Sequence, residues 1–239
     1  MRIIGNDPSV PRQTQEVASG TLPNGKPVVV NADGTVSVVS GSNNTESVGS
    51  GVVFESATSG TPAIGYDTSN DKVVIAYTDS GNSSYGTAVV GTVSGTSISF
   101  GTASVFNSGS TTNIAAGFDS TANKTVIGYR DASDSSKGKA VVATISDTSV
   151  SFGSATQFNS GTTRNIAVVH DSNANKTVIS YEDVGNSGYG TAIVGTVSGT
   201  SISFGSEAVF NAAQSTDIAT SYDSSSNKTI IAYRDSGNS

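Results

Sequence analysis

A tyrosine followed two positions later by an aspartate recurs four times and is the most regular chemistry-bearing pattern in the chain. The pairs are Tyr77/Asp79, Tyr129/Asp131, Tyr181/Asp183 and Tyr233/Asp235. An aromatic ring beside a carboxylate at a strand end can bind a sugar, because the ring stacks on apolar C–H faces while the acid accepts hydrogen bonds from hydroxyls. The alternative is structural: the tyrosine packs inside a sheet and the aspartate begins the next turn. We take these eight residues as candidate ligand-binding residues and keep both interpretations open.

Catalytic and metal-binding patterns are weak. The single histidine, His170, occupies a position that other parts of the chain fill with Tyr66, Phe118 and Tyr222, which predicts a packing role. Glycoside cleavage needs two carboxyl groups in different environments, whereas acids that recur identically predict similar environments. Calcium prefers six to eight oxygen ligands, and loops such as "DSGNS" offer one or two carboxylates each. The sequence therefore predicts no enzyme, no catalytic residue, no metal and no cofactor.

Composition and charge exclude further classes of function. Lys and Arg number 12 against 19 Asp and Glu, for a net charge of −7, which opposes binding to a phosphate backbone and predicts no nucleic-acid partner. No apolar run is long enough to cross a bilayer, so we predict no membrane insertion. The 239 residues include 27 glycines and only 13% charged residues, a composition that favours strands and tight turns.

These patterns belong to an internal repeat with a period of 52 residues. Asp67, Asp119, Asp171 and Asp223 have this spacing, as do Lys72, Lys124, Lys176 and Lys228. Each unit contains four strand-like stretches, which in one copy read "TPAIGYD", "KVVIAYTD", "GTAVVGTVSG" and "SISFGTASVFN" and which we name strands a to d. Strands b and c are continuously apolar, strand d alternates and strand a carries small residues. Four strands graded in this way are typical of a β-propeller blade.

The register of the repeat predicts how the fold closes. Residues 32–239 span four periods, with copies at about 58–109, 110–161 and 162–213 and a composite copy made of 214–239 and 32–57. We expect residues 35–57 to pair with residues 218–235, giving an all-β fold: a four-bladed propeller whose last blade is closed by N-terminal strands. Two alternatives remain, a longer native array and pairing of the terminal halves between chains. The segment "KPVVVNADGTVSVV" by itself is typical of a hairpin around residues 31–34, whose first strand would compete with strand b of the last blade. We let the repeat decide, and expect residues 26–31 to form an extra edge strand or an extended lead-in.

The N-terminal region differs from the repeats. Residues 1–25 contain three of the five prolines and show no repeat, so residues 1–31 are predicted to form an extended arm and lead-in without its own core, or a disordered tail. Departures from the repeat elsewhere are concentrated in "DASDSSKGK", where Asp134, Lys137 and Lys139 replace uncharged residues. Such a loop is where a specific site would lie if there is one.

The quoted segments "PRQTQEVASGTLPNGKPVVVNADGTVSVV" and "GYDTSNDKVVIAYTDSGNSSYGTAVVGTVSGTSISFG" resemble repeat-containing structural proteins and tail-fibre proteins of tailed bacteriophages, especially marine and cyanobacterial ones. The resemblance covers nearly the whole chain and carries no catalytic motif. It implies a non-enzymatic virion component, a decoration or fibre protein, made in the host cytoplasm and extracellular after lysis.

On this interpretation the arm attaches to other virion proteins and the propeller is displayed in several copies or as a homo-oligomer. The anchoring candidates are Ile3, Ile4, Pro8, Pro11 and Arg12. An alternative function is host attachment by a module that binds a host glycan or receptor through the Tyr–Asp pairs. A third is a glycosidase or depolymerase.

Overall fold

The structure is a computed structural model that describes residues 17–18, 20–22, 28–38 and 47–238. The chain divides into two units, Met1–Ser47 and Val48–Ser239. The five anchoring candidates at positions 3, 4, 8, 11 and 12 lie outside the described residues. The described part contains β-strands and two short 3-10 turns, Ser80–Asn82 and Val184–Asn186, and no α-helix.

The first unit contains a small three-stranded sheet. Its strands are β1 (Val17–Ala18), β2 (Val28–Val30) and β3 (Thr35–Val38), with β3 in the centre, parallel to β1 and antiparallel to β2. The β2–β3 turn is closed by the Asn31 amide, which donates to the Thr35 carbonyl at 2.7 Å. Gly34 has a φ of +81°, a conformation that glycine adopts without steric cost. The structure thus forms the local hairpin around residues 31–34 that the sequence analysis had set aside in favour of the repeat register.

The second unit contains fifteen strands among its described residues, in chain order. They are β4 (Ser59–Asp67), β5 (Lys72–Asp79), β6 (Tyr85–Ser94), β7 (Ser97–Phe100), β8 (Ser104–Asp119), β9 (Lys124–Asp131), β10 (Lys137–Ser146), β11 (Ser149–Phe152), β12 (Thr156–Asn159), β13 (Thr163–Asp171), β14 (Lys176–Asp183), β15 (Tyr189–Ser198), β16 (Ser201–Phe204), β17 (Ala208–Asp223) and β18 (Lys228–Asp235).

These strands follow the 52-residue repeat. We name residues 58–109, 110–161, 162–213 and 214–239 repeats 1 to 4. In repeat 1, β4, β5 and β6 are strands a, b and c of an antiparallel meander, and strand c also pairs with β7 and then with the start of β8. Repeats 2 and 3 have the same pairing, with β12 in place of the start of a long strand in repeat 2. The all-β class is therefore confirmed, and strands a, b and c of repeats 1 to 3 are observed, whereas the predicted strand d is divided into two strands, such as β7 and the start of β8.

Neighbouring repeats pack face to face. We call the face of a repeat that meets the following repeat its front face, and the opposite one its back face. Val74, Ala76 and Val90 on the front face of repeat 1 form one buried cluster with back-face residues of repeat 2, among them Ile127 and Tyr129. A second cluster joins repeats 2 and 3 in the same way. Because strands b and c are covered on both sides, they carry the continuous apolar sequences noted above.

An aromatic contact recurs at each junction. In repeat 2, the Tyr129 ring packs edge-on against Phe106 from the preceding strand d, with ring centroids 5.1 Å apart, and Phe106 also contacts Phe152. One period later, Phe158 of repeat 2 contacts Tyr181 and Phe204 of repeat 3, with ring centroids 5.1 and 5.9 Å apart. Gly138 has to be glycine because a Cβ there would lie 2.5 Å from the Phe158 ring.

Residues 48–57 belong to this series although they form no strand. Phe54 packs against Tyr77 and Phe100 as Phe106 packs one period later. Gly49 lies against the Thr96 carbonyl, the same contact that Gly101 makes with Thr148. The segment therefore covers strands b and c of repeat 1, in the position of a preceding strand d.

The predicted composite repeat of residues 214–239 and 32–57 is not observed. We expected residues 35–57 to pair with residues 218–235, but β1 and β2 take both edges of β3, and β18 pairs with β17 alone among the described strands. A hairpin closed by four residues loses little chain entropy, whereas closure over about two hundred residues loses more, so the local pairing is favoured. A closed four-bladed propeller is therefore not seen in the described part of the chain.

Candidate functional site

The tyrosines of the four Tyr–Asp pairs lie in the sheets. Tyr77, Tyr129 and Tyr181 have 0% of their surface exposed, because strand b is covered by the aromatic contacts of each junction. Their ring faces are occupied by protein and are not accessible to a stacking sugar. Tyr233 in the last strand is 39% exposed, with Phe210 as its ring partner.

The four aspartates of these pairs lie at the ends of the b strands, and three of them, Asp79, Asp131 and Asp235, bond to the turns that follow. Asp79 accepts from the Asn82 amide at 3.1 Å, and Asp235 accepts from the Gly237 amide at 2.9 Å. Asp183 accepts from the Asn159 side-chain amide at 3.0 Å. Each tyrosine and its aspartate therefore lie in one strand but have different roles: the tyrosine packs in the sheet, while three of the aspartates cap turns and Asp183 bonds the preceding repeat.

The tyrosine hydroxyls have unequal partners, which the repeat did not predict. Tyr77 donates to Glu55 at 3.0 Å and Tyr181 donates to Glu207 at 2.9 Å, whereas the buried Tyr129 hydroxyl has no hydrogen-bond partner among the described residues. Burial raises the pKa of Tyr129 to about 12. Burial and then the glutamate hydrogen bond raise the pKa of Tyr77 and of Tyr181. The sequence did indicate this difference, because Glu55 and Glu207 each occupy a position where the other repeats have an uncharged residue.

The charged loop of repeat 2 forms a compact ion-pair cluster. Lys139 Nζ lies 2.9 Å from Asp131 Oδ2 and 2.8 Å from Asp134 Oδ2, and Lys137 Nζ lies 2.9 Å from Asp134 Oδ1. Hydrogen bonds from Lys139 and Lys137 lower the pKa of Asp134. Burial opposes the charge of Lys139, but its bonds to the two aspartates outweigh this and raise its pKa. A lysine held charged in this way is a poor nucleophile or base.

An open groove of about 400 Å³ lies where the a–b turns of repeats 2 and 3 meet. Its lining is about equally polar and apolar and includes Asp119, Thr121, Lys124 and Asn175, together with the apolar Val197. The aspartate that begins each a–b turn shapes this end of the molecule: Asp119 accepts from the amides of Thr121 and Ala122 at 3.0 and 2.9 Å. Thr121 donates to Asn175 across the junction at 2.8 Å.

His170 lies beside this groove, in the back-face position of repeat 3. Its Nδ1 is 3.5 Å from Asp119 Oδ1, and its Nε2 is 3.3 Å from Thr121 Oγ1. The carboxylate, imidazole and hydroxyl are thus in a row, but the Asp119 carboxylate already caps its turn and the Thr121 hydroxyl donates to Asn175. The arrangement holds neighbouring turns together, and the groove residues Thr121, Lys124 and Asn175 are the ones that the sequence analysis did not single out.

No group of three or more His, Cys, Asp or Glu side chains in the described ranges could hold a metal ion. No helix among the described residues is long and apolar enough to cross a membrane.

Comparison with known proteins found no matching family model, no matching curated protein and no matching solved structure.

Proposed function

We propose that the protein is a non-enzymatic structural component of a bacteriophage virion, anchored by residues 1–31 and displaying the stacked repeats on the particle or tail. The observation that supports this most is how the repeated polar residues are used. Three of the four aspartates of the Tyr–Asp pairs cap turns and the fourth, Asp183, bonds Asn159 of the preceding repeat; three of the four tyrosines are buried, and the lysines of the variant loop are ion-paired. Side chains that could do chemistry therefore serve the stability of the array.

The resemblance of the arm and repeats to phage structural proteins supplies the location. A stacked array without long loops suits a displayed or fibrous component, since each repeat rests on its neighbour and needs no partner to bury its core.

The test is incorporation into particles. Phage made in a host that supplies either the full chain or a variant lacking residues 1–31 are purified on a density gradient and probed with an antibody against the repeats. We expect the full chain to sediment with particles and the shortened chain to remain in the free fraction. Absence of the full chain from particles would contradict the virion role, and equal incorporation of both would contradict anchoring by the arm.

A second candidate function, binding of a host-surface glycan, is favoured by the groove between repeats 2 and 3. Lys124, Asn175 and Thr121 offer hydrogen-bonding groups beside the apolar Val197, and the volume suits a small ligand. A glycan array probed with the full chain, followed by titration of any hit, tests it. Lys124→Ala should weaken binding at least tenfold, while Lys72→Ala, the same position one repeat earlier, should leave it unchanged. Equal loss in both variants would exclude the groove as the site.

A further inference from the structure

We propose that copies of this chain associate head to tail, with the front face of repeat 4 in one copy binding the back face of repeat 1 in the next. The inference goes beyond the proposed function and does not depend on it, because it concerns the purified chain.

The interior junctions show what each kind of face accepts. At the junction of repeats 2 and 3, Gly128 on the front face of strand b lies against Val168, Ile166 and Ile179 of the next repeat. At the junction of repeats 3 and 4, the Ser180 hydroxyl on the same strand position bonds the Thr220 hydroxyl. In both junctions the front of strand b therefore packs on the back of the following strand a.

The back face of repeat 1 lacks such cover on its strand a. Ile64 is 66% exposed and Tyr66 is 52% exposed, whereas their equivalents in the later repeats are at least partly covered. Val93 is 55% exposed, and its equivalent Ile145 is 7% exposed within the cluster that joins repeats 1 and 2. Residues 48–57 cover strands b and c but leave this apolar strip open. We name Ile64, Tyr66 and Val93 the head face.

The front face of repeat 4 is open in the complementary way. Ile230 is 53% exposed, while its equivalents Val74 and Val126 are fully buried and Val178 is partly buried. Ala232 is exposed, while its equivalent Ala76 is fully buried. We name Ile230 and Ala232 the tail face.

The edge beside the tail face is open as well. In repeats 1 to 3, strand b is paired on both sides, but β18 pairs with β17 alone among the described strands, so a row of backbone donors and acceptors is unused on its other side. Tyr233 has the Phe210 ring beside it and no second phenylalanine, unlike the triplets of the interior junctions. The unpaired edge of β18 and the tail face together form one side of a junction like those between repeats.

The other half is the head face of a second copy. Ile64 occupies the same repeat position as Val168 and Thr220, the residues that cover the fronts of repeats 2 and 3. The two faces are different surfaces, so the contact is heterologous: each copy can use its head on one partner and its tail on another. The continuity of an existing, repeated interface thus identifies the occupant as another copy of this chain.

A pair of complementary variants tests the proposal. Ile64→Asp places a charge on the head face, and Ile230→Asp places a charge on the tail face. Both positions are exposed, so the variants should still fold, which circular dichroism checks. In sedimentation equilibrium, the apparent molecular mass of the wild-type protein is expected to rise as its concentration increases from about 1 to 100 μM. Each variant alone should associate at least tenfold more weakly. An equimolar mixture should form a species of two chains and no larger one, because one intact head meets one intact tail.

The control is Val105→Asp. Val105 is 42% exposed although repeats lie on both sides of it, so it is outside the stacking faces, and its variant should behave as wild type. A wild-type chain that stays monomeric over this range would overturn the proposal. So would a mixture of the two variants that associates no better than each variant alone.

Discussion

Two equivalent tyrosines, Tyr129 and Tyr181, give a direct test of how hydrogen bonding contributes to the stability of this fold. Tyr129 and Tyr181 occupy the same position in successive repeats, are both fully buried and make the same ring contacts with phenylalanine. They differ at the hydroxyl, which bonds Glu207 in Tyr181 and has no partner among the described residues in Tyr129. Replacing each by phenylalanine removes only that hydroxyl.

The two substitutions should have opposite signs. Tyr181→Phe loses a hydrogen bond to a charged group, worth about 1.5 kcal/mol at the lower end of the usual range because Glu207 is exposed. Tyr129→Phe removes a desolvated hydroxyl and should gain about 1 kcal/mol. The difference of about 2.5 kcal/mol corresponds to about 5–10 °C in melting temperature for a chain of this size.

Melting curves followed by near-ultraviolet circular dichroism at pH 7 measure this difference. Tyr66→Phe is a control, because its bond to Asp71 is exposed and its loss should cost less than about 0.5 kcal/mol. If Tyr129→Phe lowers the melting temperature as much as Tyr181→Phe does, the Tyr129 hydroxyl is bonded in solution and the reasoning fails.

Three further predictions use other features. Gly153→Ala should destabilise the chain by about 3 kcal/mol, because a Cβ there overlaps the Thr200 backbone. Gly205→Ala, at the open position one repeat later, should change stability by less than about 0.5 kcal/mol. Urea unfolding of both variants measures the difference, and equal effects would contradict the stacking register. The buried tyrosines stay protonated in the native state, whereas tyrosine in the unfolded chain titrates near pH 10.0. The free energy of unfolding should therefore be constant at neutral pH and fall between about pH 10 and pH 12, by up to about 1.4 kcal/mol per pH unit for each tyrosine. Unchanged urea midpoints across this window would refute the prediction. Lys139→Thr, which restores the residue of the neighbouring repeats, should lower the melting temperature because it leaves the buried Asp131 without its cation, and an unchanged value would show that the ion pair adds nothing.

The sequence was sufficient to predict the local architecture of the repeats. Spacing and apolar pattern identified strands a, b and c as single strands and the stretch that forms the two strands of d. The tight a–b turns follow from Asx chemistry, since Asp67 accepts from the Ser69 amide at 2.9 Å and the residues at the turn end, such as Asn123, are left-handed. These features depend on residues close in the chain or on contacts that every repeat shares.

What the sequence could not predict depends on competition between distant segments. The repeat register favoured pairing of residues 35–57 with the last repeat, yet the hairpin around Asn31–Gly34 uses the same strand, and periodicity alone does not weigh one against the other. The candidate site depended on a similar choice. The sequence of a Tyr–Asp pair is the same whether the tyrosine ring is buried or exposed. Tyr77 is buried because of how the neighbouring segments pack on its strand, which the pair itself does not indicate. The groove at Thr121 and Asn175 combines turns of two repeats and has no signature within either.

The long strand Ser104–Asp119 has a mechanical consequence. Its first half pairs with repeat 1 and its second half with repeat 2, so these repeats are joined by backbone that is hydrogen-bonded along its length and not by a slack linker. A pulling force between them must shear rows of hydrogen bonds together. Between repeats 2 and 3 the corresponding strand is interrupted at residues 160–162, between Asn159 and Thr163. That junction is therefore the more compliant one, where the array bends first under load.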